Sequence, residues 1–448
     1  MNPLASLQKL GMPLRAFAGL GSAIGIKAIA GLVVVKLSAL LLGPSIFGQL
    51  GQLMTLVAIV GMFAGGGTGN ALIQALSSNE KKEVRQRKLG AALTIFVCAS
   101  AGVSALLVLF CRPLARGLMG DESLFWVILV LAVSHWMVGF SNILQAILGA
   151  VNRVRTVAFI NGVGTILGVS IFALLIMTHG VKGAALGLVL MPSMLGVVSL
   201  WVWSYRLEPE WRAPNWRGLY QDYRELLSYS VVMLFATTAL PTAQILVRDL
   251  IGDRVGWADV GFWQGTLKIS DVYIQFVCMV GMYYALPRFS AQKTIEGLDR
   301  EYGRVLAMLM PVMLCGFVAL YALRDWVVKL LFSRSFEPMR DYFLPYMIGD
   351  TFRIVGLLCV YYALSRGARK ILIGYELVMA FGLFAAGYLF VGPFGGMAPA
   401  YAHIVASVLA CLFVAGNCLR FRRAWKRGAV PPSSFAKSQK LMANDPLL

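Results

Sequence analysis

The chain has 448 residues, with 40 Lys+Arg against 21 Asp+Glu and a net charge of +19. Apolar residues make up 58% and charged residues 14%, against about 45–50% and about 25% in an average soluble domain. One water-soluble core cannot hide that much apolar surface, and the composition equally excludes disorder, a coiled coil and a disulfide-stapled secreted module. What remains is a polytopic helical membrane protein. Only helices and closed barrels satisfy their backbone in lipid, and no series of alternating ten-residue strands occurs.

In chain order, the first apolar run covers 14–42. It is too long for a cleavable leader and carries Lys27 and Lys36, so it reads as the first membrane helix. Eleven further cores follow, at 46–75, 89–111, 123–150, 156–178, 182–205, 226–251, 259–286, 304–323, 342–364, 371–391 and 397–419. With the N-terminus inside, inner segments hold 27 Lys/Arg and outer segments nine, while Lys27, Lys36, Lys268 and Arg353 lie within spans. That asymmetry fits twelve spans with both termini cytoplasmic. It accounts for the +19 without a nucleic-acid partner. The expected fold is therefore all-α, twelve transmembrane helices in two six-helix lobes.

The longest inner loop, 206–224, divides an N-lobe (1–205) from a C-lobe (225–419), and a basic tail occupies 420–448. The halves look related. At an offset of 213, Arg153 falls on Arg366, Gly183 on Gly396 and Ala185 on Ala398, and "LGPSIFGQLGQL" resembles "IGDRVGWADVGFWQGTL". Six spans per half make the two copies parallel, as in repeats related by an axis along the membrane normal.

Ionisable residues inside spans are costly and are functional candidates by default. Lys27 lies sixteen residues before Gly43, about 24 Å at 1.5 Å per residue, too deep to reach water easily. Lys36 is nearer the outer end and can snorkel. Nine residues separate the two, so they point to opposite faces. In "LKISDVYIQF", Lys268 and Asp271 stand three apart on one face. They are either a self-neutralised pair or a cavity-lining pair in which Asp271 binds a proton or balances a cation. "GDTFRI" repeats the device with Asp350 and Arg353. Arg353 either meets a phosphate, for which its fork is suited, or is held by Asp350. Glu376 and His403 lie inside the eleventh and twelfth spans and are weaker proton-relay candidates. Arg248 and Asp249 read as interface anchors at the end of the seventh span.

Other features read as packing. Small-residue runs such as "GSAIGIKAIAG", "GGGTGN" and "GAALGLVLMP" allow close helix approach, and "GGGTGN" could also break the second span. Pro192, Pro241, Pro311 and Pro345 are expected to kink their spans. The seven Cys, without a C-x-x-C pair, read as small packing residues. "RDWVVKLLFSRSF" in 324–341 reads as a short interfacial helix anchored by Trp326 and Phe332.

No phosphate-binding G-x-x-x-x-G-K-[ST], H-E-x-x-H or G-x-S-x-G motif occurs. No ATP hydrolysis, metal or cofactor is expected. The residues describe a two-lobed secondary transporter with a buried, cationic central site.

"GLVVVKLSALLLGP", "GAALGLVLMP", "DVGFWQGTLKISDVYIQF", "LRDWVVKLLFSRSFEPMRD" and "GDTFRI" resemble the polysaccharide-transport branch of the multidrug/oligosaccharidyl-lipid/polysaccharide exporter superfamily. The resemblance runs over most of 20–422 and is nearest to the members that flip lipid III, the enterobacterial common antigen precursor. It implies a V-shaped cavity between two lobes, an undecaprenyl-diphosphate-linked oligosaccharide of O-antigen or common-antigen type as substrate, and flipping from the inner to the outer leaflet of a bacterial inner membrane. It further implies membrane lipid as surroundings and a glycan polymerase and chain-length regulator as pathway partners. Lys27, Lys268, Asp271, Asp350 and Arg353 fall in segments matching the family. Lys268 stands where those members look uncharged and Asp249 where they carry a basic residue, so the particular sugar is not carried over. Lys27, Lys36, Lys268 and Arg353 are expected to bind substrate, and Asp271, Asp350 and Glu376 to carry protons or balance charge. The rival readings are a multidrug or cation antiporter on the same fold, a lipid II flippase, and a membrane glycan polymerase or ligase.

Overall fold

A computed structural model describes residues 14–65, 67–69, 72–73, 76, 82–206, 215 and 220–426. Every long element among them is helical. The first is α1 (Leu14–Phe63), followed by α2 (Lys82–Leu109), α3 (Cys111–Met119), α4 (Phe125–Ala150), α5 (Val154–Arg206) and α6 (Tyr220–Arg254). Then come α7 (Trp257–Val280), α8 (Leu286–Ala291), α9 (Ile295–Ala322), α10 (Arg324–Leu331), α11 (Phe343–Leu364), α12 (Arg369–Phe394) and α13 (Ala398–Lys426). Eight stretches are long and apolar enough to cross a membrane. The protein is an all-α polytopic membrane protein.

Three of the eight are broken by glycine. Gly43 (φ 74°) breaks α1 and Gly180 (φ 55°) breaks α5, while Gly395 (φ 52°) separates α12 from α13. A positive φ is nearly free for glycine and costly for a residue with a Cβ. The expected proline kinks do not take this form. No helix break falls at Pro192, Pro241 or Pro311. Pro345 lies in the first turn of α11, where its missing N–H is no loss. The second span does break at "GGGTGN". Helix α1 ends at Phe63, Thr68 N–H bonds to Gly65 O, and Gly67 has φ 64°, while Gly66 and Asn70 lie outside the described residues.

The described residues form two compact units that divide between Thr238 and Ala239. The first half of α6 belongs with the first unit. Asp222 pairs with Arg87 on α2 at 2.6 Å, and Asn215 N–H bonds to Gln86 O. Leu226 joins the cluster of Leu89, Phe96, Ile147 and Val202.

The backbone of one unit repeats in the other. Helices α2 and α9 have the same length and start 213 residues apart, as do the starts of α3 and α10. Gly43 and Gly256, both at positive φ, share that offset. Further on the offset becomes 215. Asn152 N–H bonds to Gly149 O and Arg153 N–H to Leu148 O, while Gly367 bonds to Leu364 O and Ala368 to Ala363 O. Gly180 (φ 55°, ψ −129°) and Gly395 (φ 52°, ψ −128°) also match at 215. Arg153 thus corresponds to Ala368 rather than to Arg366.

The short helix expected in 324–341 is present as α10, and Trp326 is exposed. Phe332 is not an anchor. It is buried, with its ring 5.0 Å from that of Phe336, because the chain turns inward at 332. Helix α3 is the matching feature of the first unit, preceding a turn where Ser123 N–H donates to Asp121 at 2.8 Å. The hydroxyl and N–H of Ser123 hold the Asp121 carboxyl below its ordinary value. A single wide turn at Gly281–Ala285 follows α7. It lets the Tyr361 ring lie against Gly281, and Tyr361 OH donates to Cys278 O at 3.2 Å.

Helices α1 and α4 approach closely at Gly139, where an added Cβ would stand 2.0 Å from Ala64 O. We expect Gly139→Ala to destabilise the purified protein by about 1–3 kcal/mol through overpacking. Gly102→Ala, which meets nothing within 4 Å, should be neutral. Thermal unfolding in detergent checks the pair.

Candidate functional site

The second unit contains a connected set of charged side chains inside its helices. Asp350 on α11 has no exposed surface. Its Oδ2 accepts from Ser270 Oγ at 2.6 Å and Tyr273 OH at 2.5 Å, both on α7. Its Oδ1 faces His403 Nε2 on α13 at 3.0 Å and Arg353 Nη1 at 3.7 Å. One carboxylate therefore ties three helices together. A buried carboxylate is stable only when its lone pairs are met this way. Sequence spacing supplies part of the geometry. Asp350 and Arg353 are three apart on one helix face, as are Ser270 and Tyr273. Gly349 supplies another part, because a Cβ there would lie 2.5 Å from His403 Cδ2. The His403 ring stacks on Tyr346 with centroids 4.2 Å apart.

Lys268 and Asp271 form an ion pair at 3.2 Å, with 31% and 37% of their side chains exposed. Glu376 is half-buried on α12, and its neighbour Tyr375 donates to Arg353 O at 3.4 Å. Arg353 lies within electrostatic reach of Asp271 as well as Asp350, and Glu376 within reach of Arg353.

Arg248 corrects the reading of the sequence. It is not an interface anchor. It is 1% exposed, donates to Gln264 Oε1 at 2.8 Å, and lies over the Trp263 ring at 5.4 Å. Adjacent Asp249 is exposed. The position of Arg248 near the end of an apolar run concealed its burial. The available signal was "GFWQG", which offers an aromatic face and an amide acceptor to a guanidinium. With Arg248 included, the cations Lys268, Arg248 and Arg353 meet the carboxylates Asp271, Asp350 and Glu376 one for one. This set of six side chains is thus balanced in charge rather than simply cationic.

The first unit differs. Lys27 and Lys36 are both exposed on α1, and among the described residues neither has a carboxylate within ion-pair distance. Lys36 shares its helix face with exposed Ile29, Val33 and Leu40, whereas Lys27 points to the opposite side. Ile26, beside Lys27, packs against Gly162 of α5. At 213 residues' offset Lys36 corresponds to Asp249, and Lys268 to buried Thr55. His135 of α4, which the sequence reading did not single out, corresponds at 215 to Asp350. It is 1% exposed, with ring nitrogens 3.0 Å from Leu131 O and 3.3 Å from Ser100 O.

Solved structures share this fold. A multidrug resistance MATE family transporter of the MOP superfamily, in its inward-facing conformation, superposes with a TM-score of 0.77 at 13% identity, covering 92% of this chain and 99% of that one. The lipid II flippase MurJ, inward closed, gives 0.71 at 12% identity, covering 89% and 87%. Both likenesses are of fold along most of the chain. The family model described as "Polysaccharide biosynthesis protein" matches residues 38–341, and the chain belongs to that family. The lipid III flippase of Escherichia coli (strain K12) is 26% identical over 410 residues, covering 89% of this chain and 96% of that protein. The lipid III flippase of Shigella flexneri matches to the same extent.

Removing Asp350 leaves Arg353 and His403 without their shared anion. Asp350→Ala should therefore cost about 3–5 kcal/mol of stability, as expected for a broken buried pair. Asp271→Ala, on a part-exposed pair, should cost no more than about 1 kcal/mol. Thermal unfolding of the two variants separates a structural carboxylate from a site carboxylate.

Proposed function

We propose that this protein flips an undecaprenyl-diphosphate-linked oligosaccharide repeat unit from the inner to the outer leaflet of a bacterial inner membrane. The observation that carries the reading is Lys27, an exposed cation with no acidic partner among the described residues, deep in an apolar helix. The likeness to the lipid III flippase along 89% of the chain supports the substrate class. The likeness in fold to the lipid II flippase supports a related lipid cargo.

A diphosphate carries about two negative charges, and burying them in hydrocarbon is prohibitive. Lys27, Arg353 and Lys268 replace its hydration, with Lys36 as a further contact, while the polyprenyl tail stays in lipid. Counting the three broken helices as pairs and adding α6 supports twelve spans in two lobes of six, and the 27-to-9 charge asymmetry supports cytoplasmic termini. The two lobes alternate access, coupled to protons. Asp271 and Glu376 keep exposed surface and are the proton carriers. The burial of Asp350 and its four partners favour charge balance and helix tethering for that residue. A multidrug or cation antiporter is the second reading, favoured by the TM-score of 0.77 to a MATE transporter.

Reconstitution into proteoliposomes with a fluorescent undecaprenyl-diphosphate oligosaccharide tests the reading. Protein-dependent translocation that responds to an imposed pH gradient is expected, and Lys27→Ala should abolish it while leaving expression intact. Retained flipping in Lys27→Ala would remove the role of that residue. No translocation of any lipid-linked glycan, with export of a soluble cation, would establish the antiporter.

A further inference from the structure

The first unit holds a hydrogen-bonded chain of uncharged side chains that the charge-based site does not use. Asn161 on α5 donates through Nδ2 to Gln145 Oε1 on α4 at 2.7 Å and to Val157 O at 2.9 Å. Gln145 Nε2 donates to Ser141 Oγ at 3.0 Å, and Ser199 Oγ donates to Ser141 Oγ at 2.9 Å. Ser141 and Ser199 are buried, while Asn161 and Gln145 are half-buried.

This chain fixes which way the amides point. A backbone carbonyl only accepts, so the Asn161 atom beside Val157 O is the NH2. Its two protons go to Val157 O and Gln145 Oε1, which in turn leaves Gln145 Nε2 toward Ser141. Two groups then remain without a partner among the described residues: Asn161 Oδ1, an acceptor, and the second Nε2 proton of Gln145, a donor. An acceptor and a donor on two hydrogen-bonded amides match a sugar hydroxyl, which offers both, and equally the N–H and C=O of an acetamido group. Neither group carries charge, so the pair gives no attraction to a diphosphate.

Its place in the unit is that of a second contact. Ile26 packs against Gly162, so Lys27 and Asn161 each stand beside a member of one packing pair, at one level of the unit. The same position is polar in the second unit. Asn161 follows the positive-φ residue Asn152 by nine residues, and Glu376 follows Gly367 by nine.

We propose that Asn161 and Gln145 form a sugar-recognition subsite, reading a hydroxyl or acetamido group of the glycan while Lys27 holds the diphosphate. This rests on the lipid-linked oligosaccharide reading above. The test measures binding of two probes to the purified full-length protein: a polyprenyl diphosphate bearing an oligosaccharide, and the same polyprenyl diphosphate without sugar. Asn161→Ala and Gln145→Met should each weaken the sugar-bearing probe by about tenfold, the loss of a hydrogen bond in a site built for it. The sugar-free probe should be unaffected. Equal weakening of both probes, or no weakening of either, would overturn the subsite. Failure of the unmodified protein to bind either probe would instead overturn the lipid-linked substrate itself.

Discussion

Asp350 is the group on which the second unit depends. In lipid, helices gain nothing from hiding apolar faces from one another, so packing and polar ties must hold them together. A carboxylate without exposed surface is tolerable only if every lone pair is met. Ser270, Tyr273, His403 and Arg353 meet it from α7, α11 and α13. Arg353, held by Asp350, also lies within electrostatic reach of Asp271 and Glu376.

The two units use one backbone for different chemistry. Their glycine breaks and loop hydrogen bonds match at offsets of 213 and 215. At matched positions, however, the first unit has His135, Asn161 and Lys36 where the second has Asp350, Glu376 and Asp249. The first unit combines Lys27 and Lys36, without an acidic partner among the described residues, with neutral amides and hydroxyls. The second balances three cations against three carboxylates. The backbone frame is thus shared, while the side chains at equivalent positions are neutral or basic in one unit and acidic in the other.

Charge compensation within one helix is legible in the sequence, and compensation between helices is not. Lys268–Asp271 and Arg353–Asp350 were legible because three residues on a helix bring side chains together wherever the helix goes. His403 and Ser270 as partners of Asp350 were not, since they lie 53 and 80 residues away. Arg248 looked terminal because the apolar run ends there, yet Trp263 and Gln264 arrive from the next helix to enclose it. Asn161 and Gln145 carried no charge and so gave no sequence signal. Only the packing of α4 against α5 makes their amides one chain.

The sequence by itself determined the membrane class, the helical fold and the candidate cations. Hydropathy, charge asymmetry and spacing within one helix are local properties that lipid and water act on directly. The offset between the halves was half legible, because two added residues shift the register after α10 and only backbone turns reveal the change. Tertiary structure decided which charges are buried, which are paired and which are left exposed. Those outcomes depend on groups from separate helices meeting at about 3 Å, a distance at which desolvation and hydrogen bonding set the cost of each charge.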